Sequence, residues 1–296
     1  MIEWLANWIW DKENIETKNF YLYARKEFVS EISGRARVYV TCSTEYKLYI
    51  NGKYVGRGPN PCYPEYQYYD IYEVSHYINR GKNVIGAICY NYGIGTHCRP
   101  QAPGGFLLQL EIESPDKQKQ IIFTDNTWRV KPACDWKFDT TRMFFTIGYQ
   151  EEYDTGKKPV GWNIVGFDDS KWQEAHIIGK IGVSPWLNMA NRQIPQLKEE
   201  IVYPEKVLKH GYVEPNDDKT LDIATRMYSE KTIIENKCIV NPNNVLSPEG
   251  IFTVIPGQES FIVLDFGKEV VGFPVIIVRD GGECTIDIGY SEALDR

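Results

Sequence analysis

Apolar residues recur at every second position along much of the chain, the period of a strand with one buried face. Residues 20–32, FYLYARKEFVSEI, put Phe20, Leu22 and Ala24 in phase, and residues 35–42 do the same with Ala36, Val38 and Val40. Residues 46–58, YKLYINGKYVGRG, carry the sharpest signal. Tyr46, Leu48 and Ile50 face one way, Lys47 and Tyr49 the other, and Asn51-Gly52 accepts the positive φ values of a tight type I′ turn. A hairpin is predicted there. Residues 59–70, PNPCYPEYQYYD, read as a loop, because proline fixes φ and removes a donor. Tyr68, Asp70 and Tyr72 resume the alternation, and residues 73–80 suit a short helical turn. Residues 83–90, NVIGAICY, are almost wholly apolar, as in a strand buried on both faces. A glycine- and proline-rich loop at 91–105 follows. Phe106, Leu108, Leu110 and Ile112 then alternate as a strand, and 121–124 form another.

Two short motifs, TDNTW at 124–128 and FDDSKW at 167–172, place a polar side chain where it caps one helical turn and tucks a tryptophan inward. They read as structural corners of a sandwich. Asp168 and Asp169 offer oxygens to calcium, but two adjacent carboxylates do not make a site of six to eight oxygens. From 185 to 204 the pattern dissolves among Pro185, Pro195 and Pro204, which predicts an extended linker and a domain boundary. Beyond it, 218–236 is ambiguous between helix and strand. Residues 252–255, 261–266, 275–278 and 285–290 read as strands, with a hairpin signal at Asp280-Gly281.

A chain of 296 residues suits about two domains. Its net charge of −7 disfavours nucleic acid and anionic membranes as partners, since both need clustered Lys and Arg. The 20 Tyr, 8 Trp and 12 Phe are the unusual component. They fit a sugar-handling protein, whose rings stack on sugar C–H faces, though for any single ring a sandwich core built from aromatics is the simpler reading. Trp4, Trp8 and Trp10 lie close together near the start and require cover. Seven scattered cysteines without a CxxC pair make neither a disulfide framework nor a zinc site, so free thiols in a reducing compartment are expected. No signal peptide and no apolar run of about 18–20 residues is visible, which makes a cytoplasmic location the expectation.

Templates for catalysis fail. There is no G-x-S-x-G, no P-loop and no HExxH, and His76, His97, His176 and His210 sit in no triad setting. Gly93-x-Gly95 lacks the third glycine of a dinucleotide fingerprint. Glycosidase acids lie far apart in sequence, so chance pairs among 40 acids prove nothing. Glu111, Glu113, Glu151, Glu152 and Asp154 read as solvated charges. The stretch most suited to binding is the loop at 91–99 with its neighbour at 63–69. Tyr63, Tyr66, Asn91, Tyr92, His97 and Arg99 combine rings with planar hydrogen-bonding groups, as a sugar hydroxyl array needs. The alternative is a loop that packs on another domain.

The order of motifs resembles the N-terminal region of bacterial α-L-rhamnosidases, in the manner of glycoside hydrolase family 78. Trp8-Ile9-Trp10, Arg25-Lys26-x-Phe28, YKLYINGKYVGRGP, Tyr69-Asp70-x-Tyr72, GKNVIG, TDNTW and FDDSKW occur in that sequence. Arg192-Gln193-Ile194-Pro195 is similar to the following linker, and VLDFGKEVVGFP (263–274) and IGYSEALD (288–295) to the start of the next β-domain. Ser291 stands where the family usually has Gly. The resemblance implies an all-β chain: a jelly-roll, galactose-binding-like β-sandwich over 1–190, a linker over 191–204, and a second β-domain over 205–296 that is open to being incomplete. It implies that terminal α-L-rhamnosyl residues are hydrolysed with inversion in a later (α/α)6 catalytic domain of the same polypeptide. No catalytic residue, metal ligand or cofactor is carried onto this chain. Its expected partners are a rhamnose-containing glycoside or other carbohydrate and that catalytic domain. A free-standing lectin-like carbohydrate-binding module and a compact enzyme remain the alternatives.

Overall fold

Asn51 and Gly52 take φ values of 50° and 78°, the left-handed pair that a two-residue type I′ turn requires. They sit in a computed structural model that describes residues 2–144, 146, 148–235, 237–279 and 282–292. The chain divides into two compact units, Met1–Pro195 and Gln196–Arg296.

The first unit contains β1 (Asn7–Trp10), β2 (Phe20–Ser30), β3 (Arg35–Cys42), β4 (Glu45–Ile50), β5 (Lys53–Gly58), β6 (Tyr66–Glu73), β7 (Gly81–Asn91), β8 (Phe106–Glu113), β9 (Lys119–Phe123), β10 (Arg129–Pro132), β11 (Gln173–Glu174), β12 (His176–Lys180) and β13 (Asn188–Asn191). One sheet runs β12-β1-β8-β3-β6-β13, with β9 also on β8; the other runs β11-β10-β2-β7-β4-β5. The inward residues of both meet in one core. Phe20, Leu22, Leu48, Ile50, Ile85 and Ala87 from one sheet pack with Val38, Val40, Phe106, Leu108 and Leu110 from the other. This is a β-sandwich, and the alternation that marks each strand is its inward face.

Asn51 does more than turn the hairpin. Its Oδ1 accepts from Val84 N at 2.9 Å, and its Nδ2 donates to Tyr77 O and Asn83 Oδ1, both at 2.8 Å. The turn is thereby tied to the start of β7. A second polar tie crosses the core. The Asp70 side chain of β6 is wholly buried and accepts from the Tyr46 hydroxyl of β4 in the facing sheet. Burial first, and the Asp70 charge next, hold the Tyr46 phenol far above its ordinary range, so it stays a donor. The Arg192 guanidinium closes the other side of Asp70. Gly58 passes so close that a Cβ there would lie 2.0 Å from Asp70 Oδ2.

Arg25, 1% exposed, is a third anchor. It pairs with Glu27 at 2.6 Å and with Asp169, donates from Nε to Trp162 O at 2.9 Å, and lies over the Phe167 ring. Asp169 therefore serves an ion pair, while Asp168 Oδ1 accepts from Ser170 N at 3.0 Å and Trp172 turns inward. The TDNTW corner repeats the device: Asp125 Oδ1 accepts from Thr127 N at 2.9 Å, and the buried Trp128 donates to Phe123 O at 2.8 Å.

The segment read as an extended linker from 185 differs from expectation. Trp186 is fully buried and stacks on Trp8, centroids 4.0 Å apart and planes at 14°. Asn188–Asn191 forms β13, parallel to β6, and Arg192 N donates to Tyr69 O at 2.9 Å. A four-residue edge strand between prolines is too short to show a period, and its partner lies over 100 residues away.

The second unit contains β14 (Lys206–Glu214), α1 (Ile223–Ser229), β15 (Lys231–Ile234), β16 (Ile239–Val240), β17 (Thr253–Val254) and β18 (Ser260–Asp265). β15-β14-β18 form an antiparallel sheet, and β16 pairs with β17. The ambiguity at 218–236 resolves into α1, capped by Asp222, followed by β15. Residues 275–278 and 285–290, expected as strands, form no ladder among the described residues, and Val275 and Ile277 are 85% and 77% exposed. β-branched alternation encodes the propensity for a strand, whereas a ladder also needs a partner edge. The Asp280-Gly281 turn lies outside the described residues.

Two substitutions test these anchors by urea unfolding followed with tryptophan fluorescence. Asn51→Gly keeps the left-handed turn and removes only side-chain bonds, costing about 2 kcal/mol, and Asn51→Val costs about 2 kcal/mol more through backbone strain. Equal losses would contradict the turn's part. Arg25→Met strands Asp169 and the Trp162 carbonyl and costs about 3 kcal/mol; a change below about 1 kcal/mol would show that Arg25 is dispensable.

Candidate functional site

The two loops singled out in the sequence meet at one end of the sandwich, where β7 ends and β4 and β6 begin. Arg99 ties the 91–99 loop to the start of the 59–70 loop that carries 63–69: its Nη2 donates to Pro59 O at 3.2 Å and lies 3.9 Å from Glu45. The 96–99 turn is closed by Thr96 N to Arg99 O at 2.8 Å and by Arg99 N to Thr96 Oγ1 at 3.1 Å. A third loop joins the group, since Arg142 Nη2 donates to Gly95 O at 3.1 Å.

The six predicted residues divide by exposure. Tyr63 and Tyr66 are 68% and 66% exposed, three residues apart on a turn closed by Tyr66 N to Tyr63 O at 2.9 Å. His97 is exposed and Tyr92 half-buried. Asn91 is fully buried, accepts from the Thr44 hydroxyl at 3.2 Å, and leaves Nδ2 without a partner. The Arg99 side chain is 11% exposed and acts as a brace. Rings and imidazole are thus presented outward while the amide and the guanidinium work underneath.

Beneath these loops lies an aromatic stack on the outer face of the sheet. Tyr21 is held between Tyr90, at 4.1 Å, and Trp136, at 4.7 Å, with Tyr92 edge-on to Tyr90 at 4.8 Å. Glu45 is the cross-strand partner of Tyr90, and Glu151 accepts from Trp136 Nε1 at 3.4 Å. Burial, then Glu151 and Glu45, raise the Tyr21 phenol above its ordinary range. Burial, then Glu45, push Tyr92 up to about 12, against the opposing pull of Arg99. These hydroxyls are therefore protonated donors at neutral pH. The cluster supplies ring faces and hydrogen-bonding groups rather than a nucleophile held against a base.

Tyr21, Glu45, Thr44, Trp136 and Arg142 escaped the sequence reading. Strand phase places Tyr21 on the outer face, a usable signal; the others depend on partners about 15 to 50 residues away. The acids read as solvated charges mostly have local work: Glu152 pairs with Lys137 at 3.1 Å, Asp154 with Lys157 at 3.2 Å, and Glu113 lies 3.9 Å from Lys119. Among the described residues no group of three or more His, Cys, Asp or Glu is placed to hold a metal ion, and no helix is long and apolar enough to cross a membrane.

Comparison with known proteins adds the family. Residues 31–200 match the model described as the alpha-L-rhamnosidase N-terminal domain. An alpha-L-rhamnosidase of Alteromonas sp. (strain LOR) is 27% identical over 321 residues, covering 100% of this chain and 28% of that protein. Another, of Formosa agariphila, is 26% identical over 59% of this chain and 19% of its own length. The chain thus spans less than a third of these curated relatives. Among solved structures, the glycoside hydrolase family 78 rhamnosidase of Bacillus sp. GL1 superposes with a TM-score of 0.68 at 28% identity, over 73% of this chain and 23% of that one. The alpha-L-rhamnosidase from Aspergillus terreus shares the fold, with a TM-score of 0.53 at 22% identity over 71% and 26% of the two chains. Matched over more than half its length, the chain belongs to the alpha-L-rhamnosidase N-terminal domain family.

Proposed function

We propose that this chain is the non-catalytic β-sandwich part of an α-L-rhamnosidase-like glycoside hydrolase that removes terminal α-L-rhamnosyl residues with inversion. Hydrolysis belongs to an (α/α)6 domain of the same polypeptide, on which the sandwich docks. The three-loop end makes contact with the carbohydrate. The observation that carries the carbohydrate part is the pair of outward rings, Tyr63 and Tyr66, on loops braced from below by Arg99. Exposed rings on a fixed turn lose little freedom when a sugar face settles on them. The neighbouring His97 supplies a planar polar group.

Calorimetric titration with L-rhamnose and D-galactose, beside an assay with p-nitrophenyl α-L-rhamnoside, tests both halves. The chain alone releases no p-nitrophenol above the blank, and release would overturn the non-catalytic assignment. It binds L-rhamnose with a Kd of about 1–10 mM, a few kcal/mol. Tyr66→Ala weakens binding about fivefold and Arg99→Ala about tenfold, or about 1 kcal/mol each. Flat heats with the unmodified chain would assign the loops to contact with another domain instead.

A further inference from the structure

Cys42 and Cys89 are fully buried free thiols on opposite sheets of the sandwich, both turned into its one core. Cys42 ends β3, opposite Phe106. Cys89 lies in β7, with Leu22 of β2 as its partner on one side and Tyr46 of β4 on the other. Between β3 and β4 the chain has only Ser43 and Thr44, so it changes sheets within two residues and soon reaches Tyr46, the direct partner of Cys89. The crossing is pinned on both sides. Ser43 N donates to Gly105 O at 2.8 Å, and the Thr44 hydroxyl donates to Asn91 Oδ1 at 3.2 Å. The two thiols meet beneath it: burial first, and then the Cys42 thiol, through a hydrogen bond and through charge, hold the Cys89 thiol well above its ordinary range.

We propose that Cys42 and Cys89 form a disulfide between the two sheets when the chain folds under oxidising conditions and stay a dithiol when it folds under reducing ones. Docking of the sheets brings the sulfurs together, so native contacts select this pair from the seven cysteines. Exchange needs a thiolate and a path to the sulfur, and the closed core withholds both. Either form, once folded, is therefore kept. The oxidant is a small-molecule disulfide such as oxidised glutathione. One cysteine thiolate attacks it, forms a mixed disulfide and expels a glutathione thiolate. The second cysteine thiolate attacks the protein sulfur of that mixed disulfide and expels the other. The two protons lost by the cysteines end on the two glutathiones, which are reduced as the pair is oxidised. The inference uses no residue assigned to carbohydrate and stands apart from that reading.

The test unfolds the full chain in urea with reductant and dilutes it into mixed oxidised and reduced glutathione, or into reduced glutathione alone. Free thiols are then blocked and the peptides mapped by mass spectrometry, with tryptophan fluorescence reporting the native state. The mixed buffer gives the Cys42–Cys89 cross-linked peptide in most native molecules, and the reducing buffer gives none. Folded dithiol protein forms the bond in the mixed buffer at least about tenfold more slowly than the refolding chain. Folded disulfide protein keeps it in dithiothreitol until urea is added. Cys42→Ala leaves Cys89 without a partner cysteine under the same treatment. Chain exported to the bacterial periplasm carries the bond with no refolding step. The proposal is overturned if native chain from both oxidising routes holds the two thiols free, or if Cys89 is found mainly with another cysteine. Equal rates of oxidation in folded and refolding chain overturn the sealing.

Discussion

A carboxylate with no access to water organises the sandwich. Removing the charge of Asp70 from solvent costs several kcal/mol unless its oxygens find donors. The donors come from separate places: Tyr46 in the hairpin of the facing sheet, and Arg192 at the end of the last strand. Satisfying one residue therefore sets the spacing of two sheets, brings the backbone of Gly58 against β6, and pins the chain as it leaves the sandwich. Arg25 imposes the same condition on β2, where carbonyls and acids of residues 162–169 are gathered about a buried guanidinium.

Aromatic abundance, which suggested sugar handling, is largely spent on cover. Trp8 lies against Trp186, and Tyr21 has a ring on each face. A ring sandwiched in this way has no face left for a ligand. Exposure therefore separates rings spent on packing from rings open to solvent, and at the three-loop end it leaves Tyr63 and Tyr66 open. The buried rings still contribute, because they and the paired acids beneath keep the loop bases fixed.

The parts legible in the sequence are those governed by neighbours. Asn51-Gly52 announced its turn through backbone sterics, and Ala36, Val38 and Val40 announced their face through alternation. The nearness of the loop beginning at Pro59 and the loop ending at Arg99 was also anticipated, and the Arg99 bond to Pro59 O realises it. What stayed hidden is governed by distance along the chain. Arg25 finds Asp169 after 144 residues, and Trp186 finds Trp8 from a stretch without any period. Asn91 read as a loop amide, yet it ends β7 and is fully buried, a depth that sequence does not give. The apolar stretches at 275–278 and 285–290 show the converse failure, in which local preference was clear and no pairing followed among the described residues.

The parallel pairing of β13 with β6 carries a mechanical meaning. Residues 188–191 run alongside 66–69 in the same direction, so the chain departs away from the end that bears Tyr66. Tension applied along that departing strand loads the ladder in shear. Its bonds, the Arg192 backbone bond to Tyr69 and the buried ion pair with Asp70 must then yield together rather than one after another. The exit of the sandwich is in this sense a clamp, able to pass force onward without loosening the loops behind it.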